Sequence, residues 1–130
     1  MGFEVNASVG GPLAVINLSG RVDGEAEAGL VAAYDRASAG SPLAILIDFS
    51  RVDFINSKGV ALIVVLLRDS SRRGIRLAAC GLTQHYIDIF EVTRLTEHVD
   101  VYPDVERARA ALLSSAGSSS GRARAERLGA

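Results

Sequence analysis

Leu43-Ala44-Ile45-Leu46-Ile47 is an unbroken apolar run, bounded by Pro42 before it and Asp48 after it. A strand with one wet face alternates apolar and polar residues. A short run without alternation is what a strand covered on both faces requires. This stretch therefore demands a sheet with something packed on each side. A mixed segment, Asp48 to Ile55, follows and reads as a loop. It leads to Asn56-Ser57-Lys58-Gly59, after which Val60 to Leu67 is apolar without a break. Asn56 or Ser57 is suited to cap a helix over that second run. A buried strand thus delivers the chain, through a short loop, to a helix whose first turn presents a serine hydroxyl.

The flanks supply the rest of such a sheet. Phe3, Val5 and Ala7 alternate with Glu4, Asn6 and Ser8, the period of a strand with one wet face. Gly10-Gly11-Pro12 makes a turn, and Leu13 to Leu18 is a second strand, so the chain opens as a hairpin. Ser19 to Gly24 reads as a loop ending in a helix start. Ala26, Leu30, Ala33, Tyr34 and Ala37 then fall at helical spacing, with the helix ending near Gly40. In the next helix Val60, Ile63, Val64 and Leu67 form one stripe, with Leu62, Val65 and Leu66 on other faces. That helix ends at Arg72-Arg73-Gly74, with cations at the negative end of its dipole. Ile75, Leu77 and Ala79 alternate as a strand. A short helix within Gly81 to Glu91 carries Tyr86, Ile89 and Phe90 inward. Val99 to Tyr102 is a last strand, and Pro103-Asp104 opens a last helix with Val105, Ala108 and Leu112 on one face. The expectation is an α/β domain over residues 1–113, a mixed sheet of about four to five strands with about four helices and right-handed crossovers. In residues 114–130 Ser, Gly, Ala and Arg dominate, with one glutamate and with Leu128 as the one large apolar residue, a composition expected to stay disordered.

Charge and composition narrow the function. A net charge of -1 gives no global basic field for nucleic acid. The longest apolar run is far short of the roughly 20 residues that span a bilayer. No basic-then-apolar signal pattern opens the chain, so a cytoplasmic protein that does not insert in membranes is expected. Cys80, alone and among apolar neighbours, reads as a buried inert thiol. His85 and His98, even with Asp88, are too few for a metal centre. Lys58-Gly59 lacks the glycine spacing of a phosphate loop. Asp48 resembles the acceptor aspartate of a receiver domain, but the acidic pair and the later lysine of that family have no counterpart here.

The segment Asp48-Phe-Ser-Arg-Val-Asp-Phe-Ile-Asn-Ser-Lys-Gly-Val-Ala61 resembles the signature of the STAS family, the domain shared by anti-sigma factor antagonists and sulphate transporters. Gly20-Arg21-Val22-Asp23, Gly81-Leu82, Ile89-Phe90, Leu95 and Tyr102-Pro103-Asp104 fit the same pattern. In the antagonists an acidic residue, a phosphorylatable serine or threonine, a small residue and glycine open the helix. Carried over, the resemblance implies that Ser57 is the phosphorylation site and Gly59 the family glycine. Asn56 stands where the pattern has an aspartate, and Lys58 where it has a small residue. The implied role is a non-enzymatic regulator that needs no cofactor of its own. It binds an anti-sigma factor that is also a serine kinase, and it lets go once phosphorylated. The implied partner surface is Ser19, Gly20, Arg21 and Asp23 with Asn56, Ser57, Lys58 and Gly59; a homo-oligomer is compatible with it.

Physics supports a switch there independently. Free N–H groups and the positive dipole end at a helix start accept an anion, so a phosphate adding roughly -1.5 to -2 charges would leave the fold intact. The plainer alternative is that Ser57 only caps its helix. Two other functions compete: a scaffold or transporter-accessory subunit that is never phosphorylated, and a nucleotide or small-ligand module.

Overall fold

The computed structural model describes residues 2–114. Strand β1 (Phe3–Ser8) pairs antiparallel with β2 (Leu13–Val22), giving the expected hairpin. A single 3-10 turn, Gly24–Ala26, precedes helix α1 (Glu27–Ala39). Strand β3 (Ala44–Ile55) leads to α2 (Ser57–Arg72), and β4 (Arg76–Cys80) to α3 (Gln84–Val92). After a second 3-10 turn, Leu95–Glu97, come β5 (Asp100–Tyr102) and α4 (Val105–Ser114). The sheet order is β1-β2-β3-β4-β5, parallel from β2 onward. A mixed five-stranded sheet with four helices is thus what the residues form, and α4 runs one residue past the expected boundary at 113. The expected disordered tail lies, from residue 115 on, outside the described residues.

The unbroken run is explained by layers on both faces. Ile45 and Ile47 point with Ile16, Leu77 and Ala79 into the larger core, beneath α1, α2 and α3. Ala44 and Leu46 point the other way with Leu13, Val15, Ala78 and Cys80, beneath Ala108 and Leu112 of α4. Each buried Ile, Leu or Val among them contributes about 1.5–3 kcal/mol, and each alanine methyl less. Leu43, read as part of this strand, lies outside it and is 52% exposed. The alternation expected for β4 is also corrected: Leu77 to Cys80 are all buried, because α4 covers the face that an edge strand would leave wet.

Two boundaries move in a way that matters for the site. The segments read as loops, Ser19 to Gly24 and Asp48 to Ile55, are mostly strand. Ser19 pairs with Arg51, Gly20 with Val52, Arg21 with Phe54 and Val22 with Ile55, across two register irregularities. Here the two strands extend past the helix-covered core, so their polar residues are those of a wetter ladder. In α2 the inward stripe is Gly59, Ile63, Leu66, Leu67 and Ser70. Leu66, placed on another face by sequence, is buried, while Val60 and Val64 are half-buried. The α1 stripe is as expected, with Leu30, Ala33, Tyr34 and Ala37 buried.

Burial, with the Asp48 carboxylate as a smaller contribution, pushes the Cys80 thiol up to about 12, in keeping with an inert core residue. A polar tie joins the two central helices: the Tyr34 hydroxyl donates to Asp69 Oδ2 at 2.8 Å. Asp69 also accepts from Arg72 at 3.0 Å and pairs with Arg73 at 3.0 Å. The Tyr34 bond first, then the Arg72 bond, holds the Asp69 carboxyl below its usual range. A carboxyl depressed in the folded state stabilises it above its unfolded pKa, near 4, and that gain is lost as pH falls through the folded value. Tyr34→Phe, which removes the bond that ties α1 to α2, is therefore expected to lower stability at neutral pH. The difference from wild type should shrink as Asp69 protonates. Urea unfolding at neutral and strongly acid pH checks this; a deficit independent of pH contradicts it.

Candidate functional site

The ends of β2 and β3 and the start of α2 meet at one corner of the sheet. Val22, the last residue of β2, accepts through its carbonyl from the Asn56 N–H at 3.2 Å. The same carbonyl lies against Gly59: a Cβ at that position would sit 2.1 Å from the Val22 oxygen and 2.9 Å from Ile55 Cγ2. Only glycine lets the first turn of α2 approach β2 so closely. Asn56 is the cap, its side-chain oxygen accepting from the Gly59 N–H at 2.9 Å. The Tyr86 hydroxyl of α3 accepts from the Ile55 N–H at 3.0 Å and fixes the strand end from the other side.

Ser57 stands at the first helical position, exposed. Among the described residues its hydroxyl has no hydrogen-bond partner, so the reading in which Ser57 merely caps the helix is excluded by Asn56. Lys58 is exposed too, its stem crossing Gly24, where a Cβ would lie 3.2 Å from Lys58 Cδ. Asp23 accepts from the Glu25 N–H at 3.0 Å, starting the 3-10 turn, and pairs loosely with Arg21 at 3.7 Å. The Arg21 guanidinium lies 4.7 Å from the centre of the Phe54 ring, which is 38% exposed.

Six of the eight residues expected at the partner surface are thus brought together: Arg21, Asp23, Asn56, Ser57, Lys58 and Gly59. Two are set apart. Ser19 lies further back in β2 and lines a polar groove with Asn17, Asp48 and Arg51. Gly20 has φ +89° and admits the chain start against itself, a Cβ there meeting the Gly2 oxygen at 1.9 Å. Sequence reasoning missed Phe54 and the bracing role of Tyr86. Phe54 was legible only through its pairing with Arg21, and Tyr86 was read as an inward apolar residue although its hydroxyl holds the strand end. No group of three or more His, Cys, Asp or Glu among the described residues could hold a metal ion. No described helix is long and apolar enough to cross a membrane.

Removing the cap should loosen the corner without erasing it. Asn56→Ala is expected to cost about 1 kcal/mol, the usual worth of such a cap. Hydrogen exchange at the Gly59 amide should rise more than exchange in β4. Equal protection of the Gly59 amide in wild type and Asn56→Ala would contradict the assignment of the cap.

Residues 4–108 match the family model described as the STAS domain. The chain belongs to the STAS domain family. Solved structures share the fold of this STAS domain at low identity. An anti-sigma factor antagonist from Mycobacterium paratuberculosis is 23% identical with a TM-score of 0.69, the match covering 85% of this chain and 93% of that one. The Bacillus cell fate determinant SpoIIAA, solved in its phosphorylated form, is 22% identical with a TM-score of 0.61, covering 84% and 98%. A sulfate transporter family protein from Wolinella succinogenes is 15% identical with a TM-score of 0.59, covering 68% and 75%. No curated protein matches the STAS domain described here.

Proposed function

We propose that this protein is an anti-sigma factor antagonist switched by phosphorylation of Ser57. Unmodified, it binds an anti-sigma factor that is also a serine kinase, so that the sigma factor is released. The kinase moves the γ-phosphoryl group of ATP onto the Ser57 oxygen, whose proton leaves, and ADP departs. ATP and its magnesium belong to the kinase, and no catalytic step falls to this chain. The phosphorylated surface then repels the partner.

One observation carries this reading: the Ser57 hydroxyl is exposed and unbonded while Asn56 does the capping. Modifying Ser57 therefore removes no bond that holds the corner. The first-turn N–H groups and Lys58 can receive the new anion, so the charge changes the surface and not the fold. Solved structures of anti-sigma factor antagonists, and one of a phosphorylated form, share this architecture.

The second reading, a scaffold or transporter-accessory subunit, draws on the exposure of Val65 and on the sulfate transporter family structure of the same fold. Affinity capture from the source cell with wild type and Ser57→Asp separates the two. The switch reading expects a kinase retained by wild type and lost by Ser57→Asp. The same proteins held equally by both baits would favour the scaffold and overturn the switch.

A further inference from the structure

The outward faces of α1 and α2 enclose a groove of about 760 Å³ that the corner described above does not use. Its floor is apolar: Val31 of α1 is half-buried there, and Val65 of α2 is 55% exposed. The walls differ in sign. Asp35, exposed on α1, lines the α1 side, and Glu25 and Glu27 are exposed beside it, around an adjoining shallow depression that shares Val31 and Asp35 with the groove. Lys58, Arg68 and Arg72 are exposed on α2 and follow one stripe with Ala61 and Val65. Asp35 and Arg68 line the same groove yet form no ion pair with each other, and among the described residues Glu25, Glu27, Lys58 and Arg68 have none either. An acidic α1 face and a basic α2 stripe flank an uncovered apolar floor; Arg72 is already paired with Asp69, while Asp35 and Arg68 are left without an ion-pair partner among the described residues.

We propose that a second copy of this chain docks on this groove through a two-fold axis running along it. Both helices return the chain from the ends of parallel strands to their starts, so they run side by side in the same direction. They are also level: Gly24 sits under the Lys58 stem, and the Tyr34 hydroxyl reaches Asp69. A two-fold along such a groove lays α1 of one copy on α2 of the other, parallel and at the same height. Asp35 then faces Arg68 and Arg72 of the second copy, Glu25 and Glu27 face its Lys58, and Val31 meets its Val65. The isologous arrangement makes every such pair twice. A second copy carries both signs in the complementary places, so it meets both walls at once. A contact confined to two helix faces belongs with the weak, reversible interfaces and not with the obligate ones.

The inference needs neither the kinase nor phosphorylation, so it stands or falls apart from the proposed function. Sedimentation velocity over a concentration series tests it on the full chain. Wild type should show reversible dimerisation that weakens about fivefold when salt rises from roughly 0.05 to 0.5 M. Asp35→Arg and Arg68→Asp should each weaken it about tenfold or more, and Val65→Asp should leave a monomer with unchanged circular dichroism. Mixing Asp35→Arg with Arg68→Asp should restore association, because in the heterodimer one pair is the native Asp35–Arg68 pair and the other is the same pair with its signs exchanged. A wild type that stays monomeric throughout, or a dimer indifferent to these charges, or a mixture that fails to recover would each overturn the proposal.

Discussion

Gly59→Ala is expected to destabilise the protein by about 3 kcal/mol, lowering Tm by roughly 10 °C. Two effects oppose each other at this position. Alanine is the better helix former, by about 1 kcal/mol over glycine in a helix interior. Against that, the added methyl would sit 2.1 Å from the Val22 carbonyl oxygen, well inside any attainable contact, with Ile55 Cγ2 at 2.9 Å behind it. The nearest obstacle is strand backbone, held where Val22 pairs with Ile55 of β3, so it cannot swing away as a side-chain tip would. Overlap wins, and the start of α2 must lift from β2, taking the Asn56 bonds with it. Thermal unfolding of Gly59→Ala beside Asn56→Ala checks this: glycine replacement should cost clearly more than loss of the cap. A neutral or stabilising Gly59→Ala would mean that α2 does not meet β2 as described.

Ser57→Asp should behave in the opposite way, with a small effect on stability and a large one on binding. A carboxylate in the first turn of α2 gains about 0.3–1 kcal/mol from the dipole, and Lys58 beside it adds a favourable charge. Thermal unfolding should therefore show an unchanged or slightly raised Tm. Binding to the proposed partner should fall at least tenfold, about 1.4 kcal/mol, because the anion would have to be desolvated where that partner is proposed to dock. The split between the two measurements is the informative part. A variant that loses both stability and binding would make Ser57 a structural residue, and one that loses neither would remove it from the interface.

Much of this architecture is written in period and punctuation. The α1 stripe could be read because Leu30, Ala33, Tyr34 and Ala37 stand out against a polar background. The two-sided burial of β3 could be read because Ala44 to Ile47 offers no polar residue. Where α2 failed to yield its inward face, the cause is the same apolar richness that announced it. With apolar residues nearly all round, the phase of the stripe is set by contacts with Ile55 and β4, which no local pattern encodes. The outer half of β3 was hidden for a different reason. Ser50, Arg51 and Asp53 are exposed in a strand that has left the cover of the helices, and only the pairing with Ser19 to Val22 reveals them as strand.

The site was legible in type and less so in detail. Asn56-Ser57-Lys58-Gly59 announced a helix start, and the geometry divides its labour: Asn56 caps, Gly59 permits the approach to Val22, and Ser57 is left free. Ser19 and Gly20 were drawn into the surface because a loop would have carried them there. As strand residues they answer to the ladder instead, Ser19 opposite Glu4 and Gly20 opposite Phe3 in β1. The groove between α1 and α2 could not be anticipated at all, since it depends on two helices being level and parallel.

Intact-mass analysis after incubation with the cognate kinase and ATP tests the central claim most directly. The account predicts one added phosphate per chain on wild type and none on Ser57→Ala. Wild type that gains nothing, or Ser57→Ala that gains as much as wild type, would contradict it.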